Sequence, residues 1–262
     1  NGNKEAEINW KGGKRDGLKT VWHENGQKDA KINYKDDKRY GLSTWWFENG
    51  KKKIETTYKQ GKEDGLQTSW HESGKKRSEA HYKSGKQDGL ETYWHENGQK
   101  NCSVRYLNDK KEGLQIGWHE NGEKSSEKTY RLGLKEGIEA QWHANGNKEA
   151  EINWKRGQKD GISIFWHENG QKRSVTNYKS GNAEGLRTEW HENGKKKTET
   201  TYKEGKEDGQ RTCWHENGQK KLEGNFKEGK KHGVSVYYDK NGEEIVRQNW
   251  QNGVLIFEKK PD

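Results

Sequence analysis

The sequence predicts an all-β protein: an elongated, single-layer antiparallel meander of about ten 24-residue β-hairpin repeats, twisted, with an aromatic-lined groove. Three observations carry this. A tryptophan recurs every 24 residues, at Trp22, Trp46, Trp70, Trp94, Trp118, Trp142, Trp166, Trp190 and Trp214, and Tyr238 takes the next beat. A turn glycine keeps the same interval, from Gly2 and Gly26 to Gly218 and Gly242. Apolar or small residues alternate with polar ones in between, as in Leu18, Thr20, Trp22 and then Ala30, Ile32, Tyr34. Self-similarity at such a period marks a repeat architecture in which each unit buries its apolar face against its neighbours. Alternation of period two, bounded by Gly and Asn, marks strands.

Parity selects the first turn. A two-residue Asn-Gly turn would set Trp22 opposite Asp29 and bury the wrong set of side chains. A three-residue loop, Glu24-Asn25-Gly26 with Gly26 left-handed, pairs His23 with Gln27 instead. Thr20 then faces Ala30, Leu18 faces Ile32, and all even positions share the inner face. The other connection, "KDDKRYG" or "KEGKEDG", is a longer Gly-containing turn of open register. A leucine column (Leu18, Leu42, Leu66, Leu90, Leu114, Ile138, Ile162, Leu186) and an aromatic column (Trp10, Tyr34, Tyr58, Tyr82 and onward) join the tryptophans on that face. At roughly 4.8 Å per strand, about 20 strands would run on the order of 100 Å, and the sheet must twist. Residues 1–262 form one continuous array with a shortened last repeat and C-terminal cap at about 239–262. "NGNKEAEINWK" at 1–11 returns at 145–155, an offset of six repeats, so the array has grown by block duplication.

Composition narrows the class. Only 25% of residues are hydrophobic, 35% are charged and the mean hydropathy is −1.61, values close to those of disordered chains. Yet 13 Trp and 11 Tyr require regular burial of rings. The net charge of +9 favours acidic partners. No apolar run approaches the roughly 20 residues that span a bilayer. The chain lacks Met and opens inside a repeat, so a trimmed segment is expected, from which a signal peptide could have been removed without trace. The compartment is undetermined. Cys102 and Cys213 give no disulfide framework; parity puts Cys102 on the inner face and Cys213 on the outer.

The recurring "WHENGQK" sets a histidine beside a glutamate in repeat after repeat. Equivalent residues of neighbouring hairpins lie about 10 Å apart, too far for two histidines to share a zinc ion. Phe47 and Asp239 fill the same slot, so these histidines read as turn-flanking side chains. A single carboxylate repeated along a rim lacks the paired, divergent pKa values of acid–base catalysis, and no nucleophile triad or phosphate loop is present. The expectation is no enzyme, no metal and no cofactor. The tryptophan column, Trp22 to Trp214, reads first as core and second as a groove that stacks a ligand. Lysine columns (Lys11, Lys35, Lys59, Lys83) run beside acidic ones (Asp16, Asp64, Asp88, Glu112), which blunts the field that nucleic acid needs. Trp45, Phe47, Tyr93, Phe165 and Tyr237 depart from the pattern on the outer parity and are candidates for an outer contact surface.

The alternation of "KxGKxDGL", a short strand, "WHENGQK" and "xxxxYK" resembles the MORN repeat, specifically the bacterial variant of the YwqK-type antitoxins of toxin–antitoxin systems. The resemblance covers Asn1 to about Gly253. It implies hairpin repeats and a role in binding proteins or membranes; some members are immunity partners of secreted toxins. The expected partner is therefore a protein, in the specific version a toxin encoded nearby. A second copy of the chain is a further candidate. The alternative is a cell-envelope or surface module that binds glycans or anionic lipid headgroups. "WHENG" stands where the eukaryotic pattern is Tyr-Gly-rich, so lipid binding transfers poorly from those members.

Overall fold

A computed structural model describes residues 5–260 and contains 27 β-strands between Ala6 and Lys259, with no helix among the described residues. All pairings are antiparallel, and strands pair with their neighbours in the chain as a meander. The all-β class read from the sequence is the one observed. The strands fall into two compact units divided between Leu134 and Lys135. In the first, Lys14–Trp22 pairs with Lys28–Lys35, which pairs with Gly41–Trp46 and so on to Lys52–Lys59. In the second, Lys148–Lys155 pairs with Gln158–Trp166, then come Lys172–Lys179 and Gly185–Trp190. The last hairpin, Glu244–Gln251 against Val254–Lys259, continues the pattern, and its final strand is exposed throughout.

The strand count exceeds the expected 20 or so for a local reason. In several repeats the strand after the turn is interrupted after two residues, as at Lys38–Arg39 and Lys86–Gln87. There the next N–H turns back to the preceding strand: Tyr40 N donates to Asn33 O at 2.9 Å and Asp88 N to His81 O at 2.8 Å. The following glycine carries a positive φ, 133° at Gly89.

Both turns can now be assigned. The first is the expected three-residue loop: His23 N donates to Gln27 O at 2.8 Å, Gly26 N to His23 O at 2.9 Å, and Gly26 has φ 84°. The second, of open register in the sequence, is a two-residue turn closed by Lys35 opposite Lys38. Its central residues Asp36 and Asp37 have φ 47° and 65°, the positive pair of a type I′ turn.

Register corrects the face assignment. Trp22 lies opposite Lys28 but Val21 lies opposite Ala30, so Asp29 is an extra residue, a second bulge just after the turn. The same shift falls between Trp45 and Trp46, between Tyr93 and Trp94, and between Phe165 and Trp166. One extra residue reverses parity for the rest of the strand. Leu18, Thr20 and Trp22 therefore share one face with Lys28, Lys31 and Asn33, whereas Ala30, Ile32 and Tyr34 lie on the other with Lys19 and Val21. The expected pairs Thr20–Ala30 and Leu18–Ile32 do not form. The Trp22 column lines one face and the Tyr34 column the other. Cys102 and Cys213 are both on the tyrosine face. The leucine column is not core: Leu42, Leu90 and Ile162 are half exposed.

Burial follows small side chains more than large ones. On the tyrosine face Ser43, Ala150 and Ser163 are wholly buried, with Thr56, Val104 and Ala30 close behind. On the tryptophan face the buried column is Thr20, Thr44, Thr68 and Thr92. This is how a chain so poor in aliphatics becomes ordered: threonine and serine fill the middle of both faces, and half-buried aromatic rings flank them.

Successive repeats are tied by side chains of the motifs themselves. Asn25 Nδ2 donates to Glu48 O at 2.8 Å while Asn25 Oδ1 accepts from Gln27 N at 2.9 Å. Asn97, Asn169 and Asn193 repeat the donation 23 residues ahead. His23 Nε2 faces Trp46 O at 3.2 Å, and His71, His95, His167 and His191 do likewise. At the other turn the acidic column holds the next repeat's left-handed residue: Asp64 Oδ2 accepts from Ser84 N, Asp160 Oδ2 from Ser180 N, and Asp208 Oδ2 from Glu228 N, each at 3.0 Å. Turn backbone adds a further bond, Gly61 N to Arg39 O at 2.9 Å.

Two stability outcomes follow. Asn169→Ala removes a bond within its turn and one to the next repeat, and should cost about 1–2 kcal/mol in urea unfolding. Gly65 has φ 121°, and a Cβ there would stand 3.2 Å from Thr57 Cβ. Gly65→Ala should therefore destabilise more than Gly26→Ala, whose Cβ would meet nothing within 4 Å. Equal losses at the two glycines would contradict this register.

Candidate functional site

The histidine–glutamate motif is engaged in the fold. A carbonyl only accepts, so each histidine facing one must donate from Nε2–H. His95 shows the complement, its Nδ1 lying 3.1 Å from Asn101 Nδ2. Among the described residues no three His, Cys, Asp or Glu side chains gather into a metal-binding group. Burial pushes the Cys102 thiol upward, and Gln115 Nε2 donates to its sulfur at 3.3 Å. That environment disfavours a thiolate nucleophile.

The tryptophan column is laid out as a ladder. Lys52 Nζ sits 5.5 Å from the ring centroid of Trp70 and 2.7 Å from Glu55. Lys76 repeats this with Trp94 and Glu79, Lys148 with Trp166 and Glu151, and Lys196 with Trp214 and Glu199. Trp22, Trp46, Trp118, Trp142 and Trp190 are half-buried like the rest. Each ammonium over a ring contributes about 0.5–1 kcal/mol at such exposure. Lysines and threonines thus occupy much of the surface that a stacked ligand would need.

The tyrosine face holds four of the departures. Trp45, Tyr93, Phe165 and Tyr237 lie in one column there, opposite Ile54, Cys102, Ser174 and Val246. This face also carries the buried Ala30, Ser43, Ala150 and Ser163. Phe47 occupies a histidine slot instead, beneath Lys53 at 5.6 Å.

Two clefts open beside these rings. In the first unit, Trp45, Ile54, Tyr58, Glu63 and Gln67 line a cleft of about 260 Å³. Arg39 braces it, donating from Nη1 to Tyr58 Oη at 3.1 Å and lying 5.8 Å from the Trp45 ring. Gln67 Nε2 donates to Thr56 Oγ1 at 3.1 Å. In the second unit, Phe165, Arg173, Arg187, Glu189 and Lys197 line a cleft of about 410 Å³. Glu189 accepts from Arg187 Nη2 and, at 2.9 Å, from Thr198 Oγ1.

Buried polar groups recur along this face. Tyr93 Oη donates to Glu91 at 2.7 Å; burial first, and then Glu91, push its phenol far upward. The same causes raise Tyr106 to about 12. Glu139, almost fully buried, accepts from Lys135 Nζ at 2.7 Å and Gln141 Nε2 at 2.8 Å. Tyr237 Oη accepts from Lys231 Nζ at 2.9 Å. These hydrogen bonds hold the polar side chains of this face in place.

Sequence reasoning missed the column beside the second turn (Arg39, Lys111, Lys135, Lys231) and the bulge residues (Asp29, Lys53, Arg77, Arg173, Lys197, Lys221) as parts of this face. Their signal was the conflict between Trp22 and Tyr34 as competing aromatic columns, which one extra residue resolves.

No curated protein matches the chain. Two solved structures cover it almost entirely but share little with it. The crystal structure of TcdB2-TccC3-Cdc42 is 10% identical over 96% of this chain and 17% of that one, with a TM-score of 0.20. The crystal structure of TcdB2-TccC3 is 11% identical over 94% and 17%, with a TM-score of 0.21. The chain thus spans about a sixth of the length of those it matches. The MORN repeat variant matches at residues 15–36, 39–60, 63–84, 87–108, 135–156, 159–180, 183–204 and 207–228. MORN repeats serve generally as non-enzymatic modules for protein or membrane interaction. With eight matches spread over well more than half of its residues, the chain belongs to the MORN repeat variant family.

Proposed function

We propose that this chain is a recognition scaffold that docks a folded protein on its tyrosine face. One observation carries the reading: the two faces differ in how they vary from repeat to repeat. A column that serves the fold must recur, and on the tryptophan face Trp22, Lys28 and Leu18 return nearly unchanged, while Thr20 gives way only to Ile116, Ala140, Ile164 and Val236. On the tyrosine face one column runs Val21, Trp45, Ser69, Tyr93, Gly117, Gln141, Phe165, Glu189, Cys213, Tyr237, and its neighbour runs Lys19, Ser43, Gln67, Glu91. A non-repeating pattern of aromatic, charged and small groups complements an irregular surface, which is that of a particular protein rather than of a uniform polymer or bilayer. Trp45, Arg39 and Tyr58 have the composition of an interface anchor. The finer assignment, a toxin-neutralising immunity protein, rests on the YwqK-type resemblance of the "WHENGQK" text.

A second reading has its own support on the tryptophan face. There the half-exposed Leu42, Leu66, Leu90 and Leu114 recur beside turns in which Lys35 opposes Lys38, Lys59 opposes Lys62 and Lys83 opposes Lys86. Like charges directly opposed cost stability unless an anion lies against them. An envelope module on anionic headgroups would use this edge.

Capture experiments with the products of adjacent genes separate the two. The protein reading expects one defined complex, weakened at least about ten-fold by Trp45→Ala. Recovery of background proteins alone would count against the immunity assignment. Salt-sensitive sedimentation with phosphatidylserine vesicles, lost in Leu90→Ser and unchanged in Trp45→Ala, would replace the protein reading with the membrane one.

A further inference from the structure

We infer that the second unit presents a docking track for an acidic, extended polypeptide segment along its bulge residues Arg173, Lys197 and Lys221. The inference rests on the protein-recognition reading and specifies the chemistry of the partner. Each of these residues is the extra one that the bulge adds: Phe165 pairs with Ser174 and Trp166 with Lys172, leaving Arg173 between them. Lys197 and Lys221 stand at the same place in the next two repeats.

All three side chains are exposed, and none has a carboxylate partner among the described residues. This sets them apart from the neighbouring lysines Lys196 and Lys220, which are paired to Glu199 and Glu223 at 2.6 Å. They also line clefts with an excess of positive charge. The cleft of Arg173 and Lys197 includes Arg187 and a single carboxylate, Glu189, which already accepts from Arg187 and Thr198. Lys221 lines the next cleft, with Lys240 against Glu216. Phe165, with Arg173 5.3 Å from its ring centroid, supplies an apolar wall.

Spacing selects an extended chain. Equivalent residues of successive repeats are two strand spacings apart, about 10 Å, and an extended segment in the polyproline II form, with three residues per turn and a rise of about 3.1 Å each, sets every third side chain on one side at about the same distance. A segment with a carboxylate at every third position would meet Arg173, Lys197 and Lys221 in turn.

The test is fluorescence anisotropy of the full chain with a labelled twelve-residue peptide of Ser-Ser-Asp repeats. A control peptide of the same composition carries its four aspartates contiguously. The spaced peptide should bind in low salt, more tightly than the clustered one. Its affinity should fall about ten-fold in Arg173→Gln/Lys197→Gln/Lys221→Gln and hold in Lys53→Gln/Arg77→Gln, with urea unfolding showing that both variants fold. No binding, equal binding by the triple variant, or equal binding of the clustered peptide overturns the inference. Displacement of the peptide by millimolar inorganic phosphate would also overturn it, by reducing the track to a free-anion site. Peptide failure with partner capture intact removes this track and leaves the recognition reading standing; capture failure with peptide binding intact does the reverse.

Discussion

The structure depends on hydrogen bonds that run from one repeat to the next through the turns. Asn25 and His23 reach the carbonyls of Glu48 and Trp46, and their equivalents do the same along each unit. A bond that always spans 23 residues enforces the repeat length, because one inserted or deleted residue would put every donor opposite the wrong acceptor. The recurrence of "HENG" is thereby explained without any reactive chemistry. The motif is a connector, and its histidine contributes a fixed N–H donor.

This constraint also accounts for the composition. A single-layer sheet offers little volume to fill, so threonines, serines and alanines are its buried residues, and rings held by lysines cover them from the side. Order comes from many small, identical bonds in series, each worth about 1 kcal/mol. The fold needs few aliphatics and leaves its leucines outside. It also leaves part of the tyrosine face free to vary: the column bearing Trp45, Tyr93 and Phe165 changes from repeat to repeat without disturbing the turns.

Much of this was legible in the amino-acid sequence, and the limit has a physical cause. Period, strand class and the three-residue loop closed by His23 and Gln27 were readable because each depends on contacts local to one hairpin. The bulge after Lys28 was not, since its extra residue is Asp29, Lys53, Arg77 or Asn101 and follows no residue type. That one residue moved Ala30, Ile32 and Tyr34 to the opposite face. The candidates Trp45, Tyr93, Phe165 and Tyr237 stand in one column opposite the Trp22 column; what the sequence did not reveal is that Ala30, Ile32 and Tyr34 share that face with them. The cross-repeat role of Asn25 and His23 was hidden for another reason: parity within a hairpin carries no information about the hairpin beside it.

The central claim is that the repeated histidines are donors in inter-repeat bonds, and nitrogen-15 chemical shifts of their rings test it most directly. The account predicts that His71, His95, His167 and His191 hold the proton on Nε2 at neutral pH and keep it unchanged on addition of zinc. Rings that carry the proton on Nδ1, or that exchange freely between the two forms, would contradict it.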